Sequence, residues 1–293
     1  MKLRYPQAFA KLFKVPLPHE RLLPHYLKRL EQAEAYKHLP ALAEEWRQFE
    51  GFVENAHDEV FRWEKKLVDG LEAAGARDLL LAAAAGAPPP VKRDGRTHPD
   101  WIGRTMVSFD LVEANFTALR VAAAASSNAR GWLQSSSWEV LCAEAGVPPI
   151  LARSKVLRQR VMGNILPQQQ QRLQARATET VAGLLDGRRV VAHTPDEVVF
   201  LTDVSPQLVE SEKRAAEALA AAGPWRVRTT YFRLVPLRSG FRRIFLQDGV
   251  PKTTDLFGVR GDRFYLELAR LLGVPPTAED LTFEVEGMLA RWL

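Results

Sequence analysis

Residues 88–90 are three consecutive prolines, and no regular element runs through them. Each proline fixes φ near −65° and removes a backbone N–H, so the stretch belongs to neither a helix interior nor a central strand. The prolines sit in Gly86-Ala-Pro-Pro-Pro-Val-Lys-Arg-Asp-Gly-Arg96. Its basic residues Lys92, Arg93 and Arg96 read as solvated chain, with a phosphate contact as the sharper alternative. The break divides the chain into a part spanning 1–95 and a part spanning 96–293, and the two carry different patterns.

Before the break the pattern is helical. Phe49, Phe52, Val53, Ala56, Val60, Trp63, Leu67 and Leu71 recur at a 3.6-type spacing, with Glu54, Asp58, Glu59, Lys65 and Asp69 mostly between them. That spacing predicts one amphipathic helix that needs a partner. Prolines 16, 18, 24 and 40 divide the earlier part into shorter helices. Trp46 and Trp63 fall at helical spacing and read as core residues.

After the break, β-type and helical runs alternate. Residues 105–109 form a short β run that ends at Asp110, and a helix is expected over 114–125. Further helices are expected over 138–145, over 150–162, and from a glutamine run at 168–171 to Leu185. Two β runs, 188–193 and 197–201, flank Thr194-Pro195-Asp196 as a hairpin. Ser205 is expected to cap a helix running to Ala222. Residues 226–237 alternate as a strand with 241–246 as its partner, and the tail reads as two helices, 262–272 and 283–293. The expected class is α+β, with an antiparallel sheet.

Composition narrows the function. With 46% hydrophobic and 26% charged residues among 293, the chain is neither disordered nor collagen-like. Forty basic against 35 acidic side chains give +5, a balance that leans toward an anionic partner such as nucleic acid. The single cysteine, Cys142, excludes an intrachain disulfide and a cysteine-rich zinc site; a reducing, cytoplasmic setting fits it. The longest apolar run, 79–90, falls far short of the roughly 20 residues of a membrane span, so no membrane association is expected.

Three segments carry chemistry together. Ser108-Phe-Asp110 ends a strand with an acid directly before a helix; Arg153-Ser-Lys155-Val-Leu-Arg158-Gln159-Arg160 begins a basic helix that reaches Gly163; Asp196-Glu197 enters a β run. Phosphoryl transfer uses this set: carboxylates for hard magnesium ions, and cations facing a triphosphate. Lys155 and Arg158, three residues apart, share a helix face and can converge on one ligand.

In this order and context the segments resemble family A DNA polymerases, the polymerase I type, over roughly residues 100–235. Asp110 looks like the aspartate of the first palm motif, with Asn115 at the family's glutamate position. Arg153, Lys155 and Gly163 look like the fingers helix, and Asp196-Glu197-Val-Val-Phe200 like the catalytic hairpin. The resemblance implies an antiparallel palm over 96–293, a short fingers insertion at about 119–185, and a helical thumb-like region over 1–95. It implies catalytic roles for Asp110, Asp196 and Glu197, with Asp110 and Asp196 as metal ligands. Nucleotide contacts would come from Arg153, Lys155, Arg158, Gln159, Gly163, Asn115 and Phe116. The implied cofactor is a pair of Mg2+ ions, with Mn2+ as the alternative. The implied partners are primer–template DNA and nucleoside triphosphates.

Pro195 stands at the family's primer-contacting histidine and Met162 where an aromatic is usual. Asn115 in place of glutamate implies weaker exclusion of ribonucleotides. Alternative readings are an RNA-making or template-independent nucleotidyltransferase, and a non-catalytic nucleic-acid-binding protein on a polymerase palm.

Overall fold

The computed structural model describes residues 5–52, 56–126, 131–185, 188–202, 206–286 and 288–292. Helices α1 (Tyr5–Phe13), α2 (Leu23–Glu31), α3 (Leu39–Phe52), α4 (Ala56–Ala73) and α5 (Ala76–Ala83) precede the prolines. Strands β1 (Arg93–Asp94) and β2 (Met106–Leu111) follow. Helices α6 (Ala114–Ala124), α7 (Trp138–Ala145), α8 (Pro149–Ala152), α9 (Lys155–Gly163) and α10 (Pro167–Leu184) come next. Strands β3 (Val190–His193) and β4 (Glu197–Leu201), helix α11 (Pro206–Ala221), and strands β5 (Val227–Pro236), β6 (Phe241–Gln247) and β7 (Val250–Phe257) complete the main body. Helix α12 (Phe264–Leu271) leads to a terminal pair, β8 (Thr282–Val285) and β9 (Met288–Arg291).

Seven strands form one antiparallel sheet in the order β1-β3-β4-β2-β5-β6-β7. Side chains alternate between faces along each strand, and the packing follows that alternation. Val107, Phe109, Leu111, Val198 and Phe200 belong to the large core shared with the helices, including Phe116, Leu119, Leu173 and Val181. Met106, Val199, Leu201, Phe232 and Leu234 face the other way and form a smaller core with Trp101 and Val191. The segment after β1 builds that second layer. The Gly103 N–H donates to the Leu234 carbonyl at 2.9 Å, and the Arg189 guanidinium lies 4.3 Å from the Trp101 ring centroid.

The sheet curls around this second face. Arg96, two residues beyond β1, donates to Glu197 at the start of β4 at 2.8 Å and lies 5.4 Å from the ring centroid of Phe257, at the end of β7. On a flat sheet β4 and β7 would stand about 19 Å apart, four strand spacings, too far for one side chain to touch both. Right-handed twist accumulated over seven strands closes the gap. Two glycines permit the close approaches at the edges. A Cβ on Gly95 would lie 2.9 Å from the Val191 carbonyl oxygen, and one on Gly240, at φ 81°, would lie 2.7 Å from the backbone of residues 257–259.

The large core runs without interruption from Ala8 and Tyr26 through the sheet to Tyr265 and Leu268, so the helices before the prolines and those after β7 share one interior. Tyr26 and Tyr265 stack at 3.9 Å. The buried Asp280 carboxylate joins the C-terminal segment to α2, accepting from Arg29 Nη2 and sharing a hydrogen bond with His25 Nε2, each at 2.7 Å. No described helix is long and apolar enough to cross a membrane.

The α+β class and antiparallel sheet match the expectation from sequence; three local expectations are corrected. Residues 283–293 are not a helix: β8 and β9 pair Val285 with Met288, and Phe283 stacks on Trp292 at 4.6 Å. The run Phe283-Glu-Val285-Glu has period 2, and Glu286-Gly287 is hairpin chemistry that outweighs the helix-forming residues after it. Residues 150–162 are two helices, because Ser154 accepts from the Leu157 N–H and starts α9 afresh. The amphipathic run from Phe49 to Leu71 is divided between α3 and α4. Its Val53 and Glu54 lie outside the described residues, as does the Ser205 cap.

Candidate active site

β2 ends where polar and charged side chains replace apolar ones on the curled face. Ser108 and Asp110, two residues apart, point to that face. The antiparallel register sets Glu197 directly opposite Asp110 on one side and Arg228 opposite it on the other. Residues so paired have Cβ atoms about 5 Å apart. The β3–β4 hairpin closes with a two-residue turn, Pro195-Asp196, in which the Thr194 N–H donates to the Glu197 carbonyl at 2.8 Å. The Leu111 N–H donates to the Asp196 carbonyl at 2.8 Å, which fastens the turn to the end of β2. The three acids therefore gather at one end of the sheet, Asp110 and Glu197 on its face and Asp196 at the tip.

Their surroundings differ. Both Glu197 oxygens are engaged, one by the Ser108 hydroxyl at 2.6 Å and the other by Arg96 at 2.8 Å. Arg96 also forks onto Asp94 at 2.9 and 2.6 Å, and its side chain is only 14% exposed. Burial disfavours the Arg96 charge, but the Asp94 and Glu197 carboxylates outweigh it and raise its pKa. The hydrogen bond from Arg96 in turn lowers that of Asp94. Asp110 is paired with Arg228, whose side chain is 69% exposed. Asp196 is exposed, and one of its oxygens accepts from the Thr194 hydroxyl at 3.0 Å.

A cleft of about 510 Å³ opens beside Asp110 and Glu197, bounded further along the sheet by Thr230, Phe232, Arg243, Phe245 and Thr253. Its volume suits a nucleotide-sized ligand. Magnesium binds through one or two carboxylates plus substrate phosphates, and by donor chemistry the acids at this end fit that requirement. Among the described residues, no group of three or more His, Cys, Asp or Glu side chains converges as a ready-made cation cage.

The basic helix lies elsewhere. None of Arg153, Lys155, Arg158, Gln159 and Gly163 lines the cleft. Arg153 pairs with Glu45 of α3, Arg158 donates to Glu113 at 2.5 Å, and Gln159 accepts from Lys14 at 2.8 Å. Gly163 is exposed at the end of α9. Lys155 is exposed in the first turn and forms no ion pair among the described residues; the Lys14 pKa is lowered, first by burial and then by the charge of Lys155. Asn115 accepts from the Gln174 side chain at 2.6 Å. Phe116 is 1% exposed and meets Trp138 edge-on, so it offers no surface to a sugar. Successive helical residues point about 100° apart, and α6 turns Phe116 into the core.

Arg228, Arg243 and Thr253 were not legible as site residues. Arg228 and Arg243 come from strands whose alternation was visible, but only the register shows which strand faces the carboxylates. Ser108, by contrast, follows from period 2 once Asp110 is placed. Compared with models of known protein families and with characterised proteins, the sequence matches none.

Proposed function

We propose that the chain is a nucleotidyltransferase that extends a nucleic-acid 3′ end, acting as a template-directed DNA polymerase with Mg2+. The observation that carries the reading is the gathering of Asp110, Asp196 and Glu197 at one end of the sheet beside a nucleotide-sized cleft. Their differing partners suggest a division of roles. Glu197, with both oxygens held by Ser108 and Arg96, is the positioning residue. Asp110 and Asp196 are the metal ligands, because an exposed arginine pair such as Arg228–Asp110 contributes at most about 1 kcal/mol and yields to a divalent ion. Bound metal would stabilise the attacking and leaving oxygens of the transfer. Lys155 lies outside the cleft but has no acidic partner among the described residues, so it is the α9 cation left to meet a part of the ligand that extends beyond the cleft. Asn115, in the first turn of α6 just after β2, is the side chain assigned to the sugar in this reading.

Primer extension with Mg2+, supplied with dNTPs and separately with NTPs, tests the proposal. Template-dependent extension by the wild type that is lost in Asp110→Asn and Asp196→Asn supports it. Extension that survives both substitutions overturns it. A second reading, nucleic-acid binding without transfer, draws on the arginines that pair with Asp110 and Glu197. The same assay distinguishes it, since such a protein binds primer–template and extends nothing.

A further inference from the structure

We propose that Arg243 and Thr253 form a phosphate-binding subsite inside the curl of the sheet, in the cleft that Asp110 and Glu197 also line; its assignment to nucleic acid rests on the polymerase reading. Arg243 is held from several sides. It forks onto Asp255, its register partner on β7, at 2.9 and 2.5 Å. Its guanidinium carbon lies 5.9, 4.8 and 5.3 Å from the ring centroids of Phe232, Phe245 and Phe257. A guanidinium has five N–H donors in a rigid plane. The fork uses two of them, and the side chain still lines the cleft.

Thr253 gives the second observation. It stands two residues before Asp255, on the same face, and lines the same cleft. Its hydroxyl is buried and has no hydrogen-bond partner among the described residues. Buried polar groups in native proteins are nearly always satisfied, so an orphan at a cleft wall calls for a partner from outside the chain. A rigid fork of N–H donors beside a hydroxyl suits an oxyanion with several acceptors. Phosphate has that geometry.

Charge, rather than position, narrows the source of the phosphate. Register runs from Thr253 through Phe245 and Phe232 to Met106, four residues from Asp110. That is about 13 Å along the strand, with three strand spacings to cross as well. The curl shortens that path, since Arg96, bonded to Glu197, and Arg243 meet the same Phe257 ring at 5.4 and 5.3 Å, so reach does not separate the sources; a guanidinium already paired with Asp255 suits a singly charged phosphodiester better than a multiply charged triphosphate. The arginine is already neutralised by Asp255, so hydrogen-bond geometry rather than net charge carries the contact.

Fluorescence anisotropy with a labelled single-stranded decadeoxynucleotide in EDTA, with dATP and pyrophosphate as competitors, tests this. Arg243→Lys and Arg243→Gln should weaken oligonucleotide binding about tenfold, because the fork is lost. Thr253→Val, which is close to isosteric, should weaken it about threefold with the Tm unchanged. Loss of dATP competition instead of oligonucleotide affinity would move the subsite to the reacting nucleotide and overturn the strand assignment. Should the Arg243 variants unfold, Thr253→Val decides: unchanged affinity in a folded protein overturns the subsite. Primer extension on the same preparations separates the two proposals. Extension with undiminished oligonucleotide affinity in the folded variants sinks the subsite alone. Weakened affinity in a protein that never extends a primer supports a phosphate subsite and sinks the polymerase reading.

Discussion

At the end of β2, Asp110 faces an arginine that is 69% exposed and a cleft that solvent reaches. On α9, Arg158 faces Glu113, which is 10% exposed, and Arg160 reaches Glu64 at 2.5 Å. The residue types are the same, but the consequences differ. At the strand end the ion pair crosses the mouth of a cavity and opens at little cost. Along α9 the pairs tie that helix to α4 and to the start of α6, so breaking them leaves a buried charge alone. Basic residues at helical spacing identify a basic helix, and only the acids packed against it decide whether those charges are available to a ligand.

The largest effect should fall on the strand end. Asp110→Asn or Asp196→Asn should lower kcat for nucleotide addition by about a thousandfold, as loss of charge stabilisation at a reacting centre does, while thermal melts stay near the wild type. Arg158→Ala should do the reverse, lowering stability with activity retained in the folded fraction. Equal losses of kcat in both sets would erase the distinction between the two regions.

Arg96 is the next test, because it belongs to the strand end yet is buried like the α9 pairs. Arg96→Ala leaves Glu197 partly buried with one oxygen unpaired, and should cost about 3 kcal/mol in urea unfolding. Adding Glu197→Gln should recover part of that loss. If Arg96→Ala costs nothing, Arg96 is a surface residue in solution and the curl of the sheet is looser than its contact with Phe257 indicates.

How much of this could be read from the chain follows the range of each signal. The β2 and β4 strands, the 194–197 hairpin and α7 are local patterns of period 2 or 3.6, and they stand where the spacing put them. The placement of Asp110 at a strand end and of Asp196 and Glu197 at a hairpin was legible for the same reason. The two-residue β1 was invisible, since a strand that short has no period. The curl that carries Arg96 to Phe257 is a sum of small twists over seven strands, and no local window holds it. The fate of Arg153 and of the α9 cations was illegible too, because Glu45, Glu64 and Glu113 reach them from over 40 residues away in sequence.

Lys155 sharpens the comparison within α9 itself. It is the cation there without an acid among the described residues, so Lys155→Ala should raise the nucleotide KM about tenfold, about 1.4 kcal/mol, with little change in stability. Steady-state kinetics against dNTP concentration measure it. An unchanged KM would make α9 wholly structural, and its basic residues would then have no part in the site.

The smallest effect concerns the sugar. Asn115 opens α6 beside the strand end, and its carbonyl oxygen is taken by the Gln174 side chain at 2.6 Å. What remains to face a ligand is the amide NH2, a donor. A donor meets a 2′-hydroxyl with a hydrogen bond, whereas a glutamate at the same position has charge and bulk with which to exclude it. On the proposed function, the protein should therefore discriminate weakly between dATP and ATP. Asn115→Ala should shift the ratio of their kcat/KM values by about fivefold, the worth of one hydrogen bond of about 1 kcal/mol. Gln174 is 2% exposed, so Gln174→Met keeps the space filled while freeing the Asn115 carbonyl. That variant should shift the ratio less than Asn115→Ala does, because a 2′-hydroxyl both donates and accepts and so meets either end of the freed amide. If the ratio is strongly biased in the wild type and neither substitution changes it, the sugar is read at another position, and Asn115 serves only to fasten α6 to α10.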